Sequence, residues 1–136
     1  MFLYHGTSQA VAVQLSNNPT LVDVSKGGGE LGRGFYAGDH IALAAAWARG
    51  RNQGNVGVLE ITIDPSAYVS LAIKALNWHQ VVSTWNQLKK QGTTRTYLFN
   101  WDLVHGPLAT MQHATQHKFE SAAAEGVLRN SGWRKL

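Results

Sequence analysis

The chain contains no cysteine, and this absence excludes disulfides, thiolate nucleophiles and cysteine-based zinc sites. It has no apolar run long enough to span a membrane. A basic stretch followed by an apolar core, as in a secretory signal, is also missing from its first fifteen residues. We therefore expect no membrane contact. The lack of cysteine fits a reducing compartment, and we expect the protein to act in the cytoplasm.

The composition predicts one globular domain over residues 1–136. Hydrophobic residues make up 44% of the chain, so it can bury a core without disulfides or metals. The formal net charge is +4, with basic residues spread along the sequence. Such a balance permits contact with nucleic acid or an acidic partner, but it is equally typical of ordinary solubilising charge.

Apolar spacing and capping residues predict helices between short strands. The predicted strands are residues 2–5, 21–24, 56–63, 95–99, 102–105 and 116–120. The predicted helices run from Ser8 to about 16, from Asp39 to about 51, from Asn77 onward and over 121–129. Strands and helices do not alternate regularly. We therefore expect an α+β domain.

Three familiar motifs do not fit this sequence. Residues 27–32 satisfy the glycine pattern of dinucleotide-binding folds, but no strand precedes them, no helix follows, and Glu30 would oppose phosphates. The six histidines lack zinc-ligand spacing, so we expect no metal site. No serine lies in the glycine-flanked elbow of a hydrolase, although a serine triad cannot be judged from sequence alone.

Two strings carry the chemistry: Tyr4-His5-Gly6-Thr7 and Gly32-Arg33-Gly34-Phe35-Tyr36. The first places hydrogen-bonding side chains around a glycine, which lets a ligand approach the backbone closely. The second brings an aromatic pair out of a glycine-rich loop. Hydrogen-bonding side chains beside an aromatic surface suit a flat polar heterocycle better than a metal or a phosphate.

With three further strings, the chain resembles the ADP-ribosyltransferase superfamily of the His-Tyr-Glu type, and in particular small bacterial toxin-like domains. The further strings are Ala44-Ala45-Ala46-Trp47-Ala48, Trp101-Asp102-Leu103-Val104-His105-Gly106-Pro107 and Gln116-His117-Lys118-Phe119. The matches follow the family's order from residue 3 to about 121. The resemblance implies a split mixed β-sheet with peripheral helices.

The resemblance implies NAD as the ligand, used as a substrate. His5 would bind the adenosine-side or the nicotinamide-side ribose, and the Gly6 backbone would hold the nicotinamide carboxamide. Thr7 would support the adenine side or orient the other binding groups. Tyr36 would stack on the nicotinamide ring. Within the second string, Gly34 and Phe35 would form part of the same binding segment, with Phe35 behind Tyr36 or in the core. Arg33 would meet the pyrophosphate or remain a solvated loop charge.

The third catalytic element of the family is a glutamate or glutamine on a late strand, and Gln116 occupies that position. Because glutamine carries no negative charge, Glu120 and Glu125 are the alternative acids. The resemblance thus implies transfer of ADP-ribose to a protein or nucleic acid by a bacterial or phage toxin, with a possible neutralising antitoxin or immunity protein. The alternatives are a non-catalytic NAD or ADP-ribose binding module and an RNA phosphotransferase on the same fold.

Overall fold

A seven-stranded mixed β-sheet forms the centre of the protein. The computed structural model describes residues 1–53 and 55–136. The strands are β1 (Phe2–Thr7), β2 (Phe35–Gly38), β3 (Gly57–Thr62), β4 (Ile73–Ala75), β5 (Leu103–Leu108), β6 (Met111–Phe119) and β7 (Gly132–Lys135). They are ordered β4-β5-β6-β2-β1-β3-β7 across the sheet. The β4–β5 pair is parallel and the other neighbouring pairs are antiparallel.

Helices connect these strands, and the α+β class expected from the sequence is confirmed. They are α1 (Gln9–Asn17), α2 (Ile41–Arg51), α3 (Pro65–Val69), α4 (Trp78–Gln91) and α5 (Ala122–Arg129), with a 3-10 turn at Pro19–Leu21. Two predicted caps are present. The Ser8 side chain accepts a hydrogen bond from an amide of α1, and Asn77 forms a reciprocal capping box with Gln80 on α4.

Several local predictions were wrong because tertiary contacts outweigh propensity. Residues 95–99 form turns and irregular chain, not a strand. Residues 21–24 contain the end of the 3-10 turn, not a strand. Asp39 does not cap α2: the cap position is His40, and Asp39 Oδ1 accepts a hydrogen bond from the Thr115 amide at 3.0 Å. The strands β2, β4 and β7 and the short helix α3 were not predicted.

The core consists of two clusters of buried side chains. The larger includes Leu3, Leu59 and Ile61 together with Phe119 of β6. The smaller is made of Leu31, Leu76, Val81 and Val104, and Tyr36 and Phe99 pack against it. Residues along one strand alternate between the two faces of a sheet. As a result, Phe119 faces the larger cluster, whereas Gln116 and Lys118 of β6 point to the opposite face.

Candidate functional site

A cleft of about 440 Å³ lies where β1 and β2 meet α2 and the segment before β2. This volume is within the range of small-molecule sites. The strands β1 and β2 are paired at Tyr4 and Gly38. Next to that pair, the His5 side chain reaches the Tyr36 carbonyl. The cleft therefore lies at the junction of the two strands that carry the strings singled out in the sequence.

His5 is held as a neutral hydrogen-bond acceptor. Its Nδ1 lies 2.6 Å from the Tyr36 carbonyl oxygen, which can only accept, so Nδ1 carries the proton. Its ring stacks on Phe35 with centroids 4.1 Å apart. Burial and, to a smaller extent, the Arg51 charge lower the pKa of His5 to about 4, against the raising effect of the hydrogen bond. At neutral pH, Nε2 therefore retains its lone pair.

Gly6 lines the cleft, but helix packing explains why this position is a glycine. A Cβ atom there would lie 1.9 Å from the Ala44 carbonyl oxygen of α2. Any larger residue would displace the helix from β1. The glycine thus permits a close approach between the protein's own elements, and its backbone still faces the cleft.

Tyr36 organises the segment that precedes it. Its hydroxyl donates to the Gly32 carbonyl at 2.6 Å and accepts from the Leu31 amide at 3.0 Å. Burial raises the pKa of the phenol well above its usual value, so it stays protonated. A Cβ atom on Gly29 would lie 2.9 Å from Tyr36 Cζ, so the Gly29 backbone packs against the ring. A planar ligand needs a free face of this ring, and Gly29 covers part of its surface.

Gln116 lines the cleft from β6, and its amide is fixed by two acceptors. The residue is 5% exposed, and its Nε2 donates to Glu30 Oε1 at 2.8 Å and to the Pro107 carbonyl at 3.1 Å. Glu30 is 4% exposed and also lines the cleft. The sequence analysis treated Glu30 only as an obstacle to phosphate binding. Since 86 residues separate it from Gln116, local sequence gave no signal of their contact.

The two alternative acids serve other parts of the fold. Glu120 is paired with the buried ammonium of Lys118 and accepts hydrogen bonds from the amides of Phe99 and Asn100. Glu125 accepts from the Val24 amide at 3.1 Å and pairs with Arg129. In the part of the chain that the structure describes, neither residue lines the cleft. Among the described residues, the cleft wall therefore contains His5 and Tyr36 without Glu120, whose charge still contributes to the raised pKa of the Tyr36 phenol.

The cations at the cleft differ from the one expected. Arg33 uses its backbone amide to bond the Tyr97 carbonyl at 2.9 Å. Among the described residues, the cleft wall contains Arg51 and Lys26 but not Arg33. The Arg51 guanidinium lies 4.9 Å from the centre of the Trp47 ring, which also lines the cleft. Arg51 was not among the binding residues expected from the sequence.

Of the remaining predicted binding residues of the two strings, two line the cleft and Thr7 is not among the lining residues that the structure describes. Gly34 and Phe35 line the cleft. Thr7 pairs with Gly57 in the sheet and is not part of the cleft wall as far as the described residues define it. Five of the seven predicted binding residues therefore meet at one site: His5, Gly6, Gly34, Phe35 and Tyr36.

Other site types have no counterpart in the described chain. Over residues 1–53 and 55–136, no three histidine, aspartate or glutamate side chains lie together as metal ligands. Within the same residues, no helix has both the length and the apolar character needed to cross a membrane. No family model matches the chain, and no curated protein is significantly similar to it. The geometry of the cleft therefore has to carry the functional argument.

Proposed function

We propose that the protein binds NAD in this cleft and transfers its ADP-ribose to a protein or nucleic acid. The observation that carries the proposal is the meeting of His5, Tyr36 and Gln116 at one cleft, although they come from β1, β2 and β6. The resemblance seen in the sequence assigns these three residues to a single site. Unrelated motifs would have no reason to converge in this way.

The polar groups of the cleft match the parts of the dinucleotide. The neutral His5 offers Nε2 as an acceptor for a ribose hydroxyl. The Gly6 backbone faces the cleft and supplies the partners for the nicotinamide carboxamide. Arg51 and Lys26 provide the positive charge that a pyrophosphate needs, in place of Arg33.

The proposed reaction breaks the bond between ribose C1′ and the nicotinamide nitrogen. The bonding electron pair leaves with nicotinamide, so positive charge develops on the ribose as in glycoside cleavage. A nucleophilic atom of the acceptor then forms a bond to C1′, and its proton passes to solvent. Groups that face the developing positive charge lower the barrier most when they are fixed before the reaction.

We place this activity in a bacterial or phage toxin that acts in the cytoplasm and is restrained by a neutralising protein. The support for this setting is the family resemblance together with the net charge of +4, which suits an anionic acceptor or partner. Copurification with a small acidic protein encoded beside it would be the corresponding observation.

The test is incubation of the purified protein with radiolabelled NAD and cell extract. We expect release of nicotinamide and transfer of label to protein or nucleic acid. A His5→Gln variant should lose most of this activity, whereas His79→Gln, on the exposed surface of α4, should retain it. The proposal is wrong if the wild-type protein neither binds NAD at millimolar concentration nor releases nicotinamide.

A non-catalytic NAD or ADP-ribose binding module is the second candidate. The neutral Gln116 at the position of an acid favours it. Binding of NAD without nicotinamide release, unchanged in Gln116→Ala, would select this function. The same pair of measurements therefore distinguishes the two candidates.

A further inference from the structure

Glu30 is a buried carboxylate with no cationic partner among the described residues. It is 4% exposed, and the ion pairs of the described chain involve other acids. Burying a carboxylate without a counter-charge is costly unless hydrogen bonds compensate it. Glu120 is also buried, but unlike Glu30 it is paired with Lys118.

One oxygen of Glu30 is fixed while the other remains available. Oε1 accepts from the Ala109 amide at 2.9 Å and from Gln116 Nε2 at 2.8 Å. Oε2 receives no hydrogen bond from any described residue, and it is not among the polar atoms sealed from solvent. Since Glu30 lines the cleft, Oε2 is the oxygen that a ligand can reach.

Gln116 is less available for a ligand than its position implies. Both hydrogens of its amide nitrogen have acceptors, one on Glu30 and one on the Pro107 carbonyl. A glutamine amide has two such hydrogens. The amide nitrogen therefore has no hydrogen left for a ligand, and it holds the carboxylate in place. The amide oxygen can accept from a ribose hydroxyl, but it brings no negative charge to the reaction.

We propose that Glu30 is the catalytic carboxylate of the cleft and that Gln116 is its positioning residue. Glu30 Oε2 accepts a hydrogen bond from a ribose hydroxyl and places a negative charge beside the ribose as the nicotinamide bond breaks. The charge missing from Gln116 is thus supplied by the segment before β2. This inference rests on the proposed NAD chemistry.

The test compares Glu30→Gln with Glu60→Gln. Glutamine keeps an acceptor oxygen for Ala109 and Gln116, so Glu30→Gln should fold. Its NAD affinity should stay within about threefold, while kcat for nicotinamide release falls by about 10²–10³, as for other single electrostatic groups. Glu60 pairs with Arg134 at 3.2 Å on β3, so its variant should match wild type. A Glu30→Asp variant, which retains the charge, should keep more activity than Glu30→Gln.

A double-mutant cycle tests the role of Gln116. Gln116→Ala should lower kcat more than it changes KM, and adding it to Glu30→Gln should cause little further loss. Independent losses would contradict the positioning role. Wild-type turnover in Glu30→Gln would overturn the assignment of Glu30 and leave the proposed function intact. A wild-type protein that does not release nicotinamide would overturn both.

Discussion

We expect the protein to lose stability in mild acid, because two of its histidines stay neutral in the folded state. Burial and, to a smaller extent, the nearby His105 lower the pKa of His117 to about 4, although Asp39 opposes this. Burial also lowers the pKa of His5 to about 4. In the unfolded chain both would titrate near 6.5. Between these values the unfolded state binds more protons than the folded state, so stability falls as pH falls.

The size of the effect follows from the two pKa values. Consider a histidine whose pKa falls from about 6.5 in the unfolded chain to about 4 in the folded protein. Between pH 7 and pH 5, its titration lowers the free energy of unfolding by about 2 kcal/mol. His5 and His117 together cost about 4 kcal/mol, and the loss is complete only below pH 4. This is a large share of the 5–15 kcal/mol typical of a domain.

The assay is urea unfolding of the wild type and two variants at pH 7 and pH 5. His117→Gln keeps a side chain that can bond the Tyr68 hydroxyl, which lies 2.7 Å from His117 Nδ1. It should lose about half of the pH dependence, whereas His79→Gln, on the exposed face of α4, should not change it. A wild-type loss below about 1 kcal/mol would refute the reasoning.

Three further predictions concern the cleft. Gly29→Ala should cost about 1–3 kcal/mol in urea unfolding, because its Cβ atom would lie 2.9 Å from Tyr36 Cζ and push the segment off the ring. Gly50→Ala, which meets nothing within 4 Å, is the control and should stabilise α2 by up to about 1 kcal/mol. Tyr36→Phe should cost about 1–3 kcal/mol in urea unfolding, because two backbone groups lose their partner. Arg51→Gln should raise the Kd for NAD by about ten- to a hundredfold and reduce its salt dependence, since a charged hydrogen bond contributes about 1.5–3 kcal/mol. Arg49→Gln is its control, and equal effects of the two variants would contradict a specific phosphate contact.

Local features of the fold could be predicted because a few adjacent residues determine them. Ser8 and Asn77 cap their helices through side chains that reach amides three residues on. The strand at Gly57–Thr62 follows from alternating apolar residues. The residues at 95–99 have a similar β-like composition, yet they form no strand. Backbone groups of this segment instead bond residues that are distant in sequence, as where the Arg33 amide donates to the Tyr97 carbonyl.

Candidate site residues could be named from the sequence only where a motif contains them. His5 and Tyr36 each lie in a recognisable string, and both line the cleft. The contact between Glu30 and Gln116 depends on how β6 lies against the segment before β2, which no local pattern records. The pairing of Lys118 with Glu120 did leave a signal, because residues two apart on a strand share a face.

Strand β6 supports the cleft and the surrounding loops from the same face. Gln116 orients Glu30, while Lys118 donates to the Leu31 carbonyl at 2.8 Å and holds Glu120, which fixes the loop at residues 99–100. A slip of this strand by one residue would turn the side chains of Gln116, Lys118 and Glu120 toward the opposite, apolar face together. Insertions or deletions in β6 should therefore abolish ligand binding and loop order at once, whereas changes of length in the exposed turns would leave both untouched.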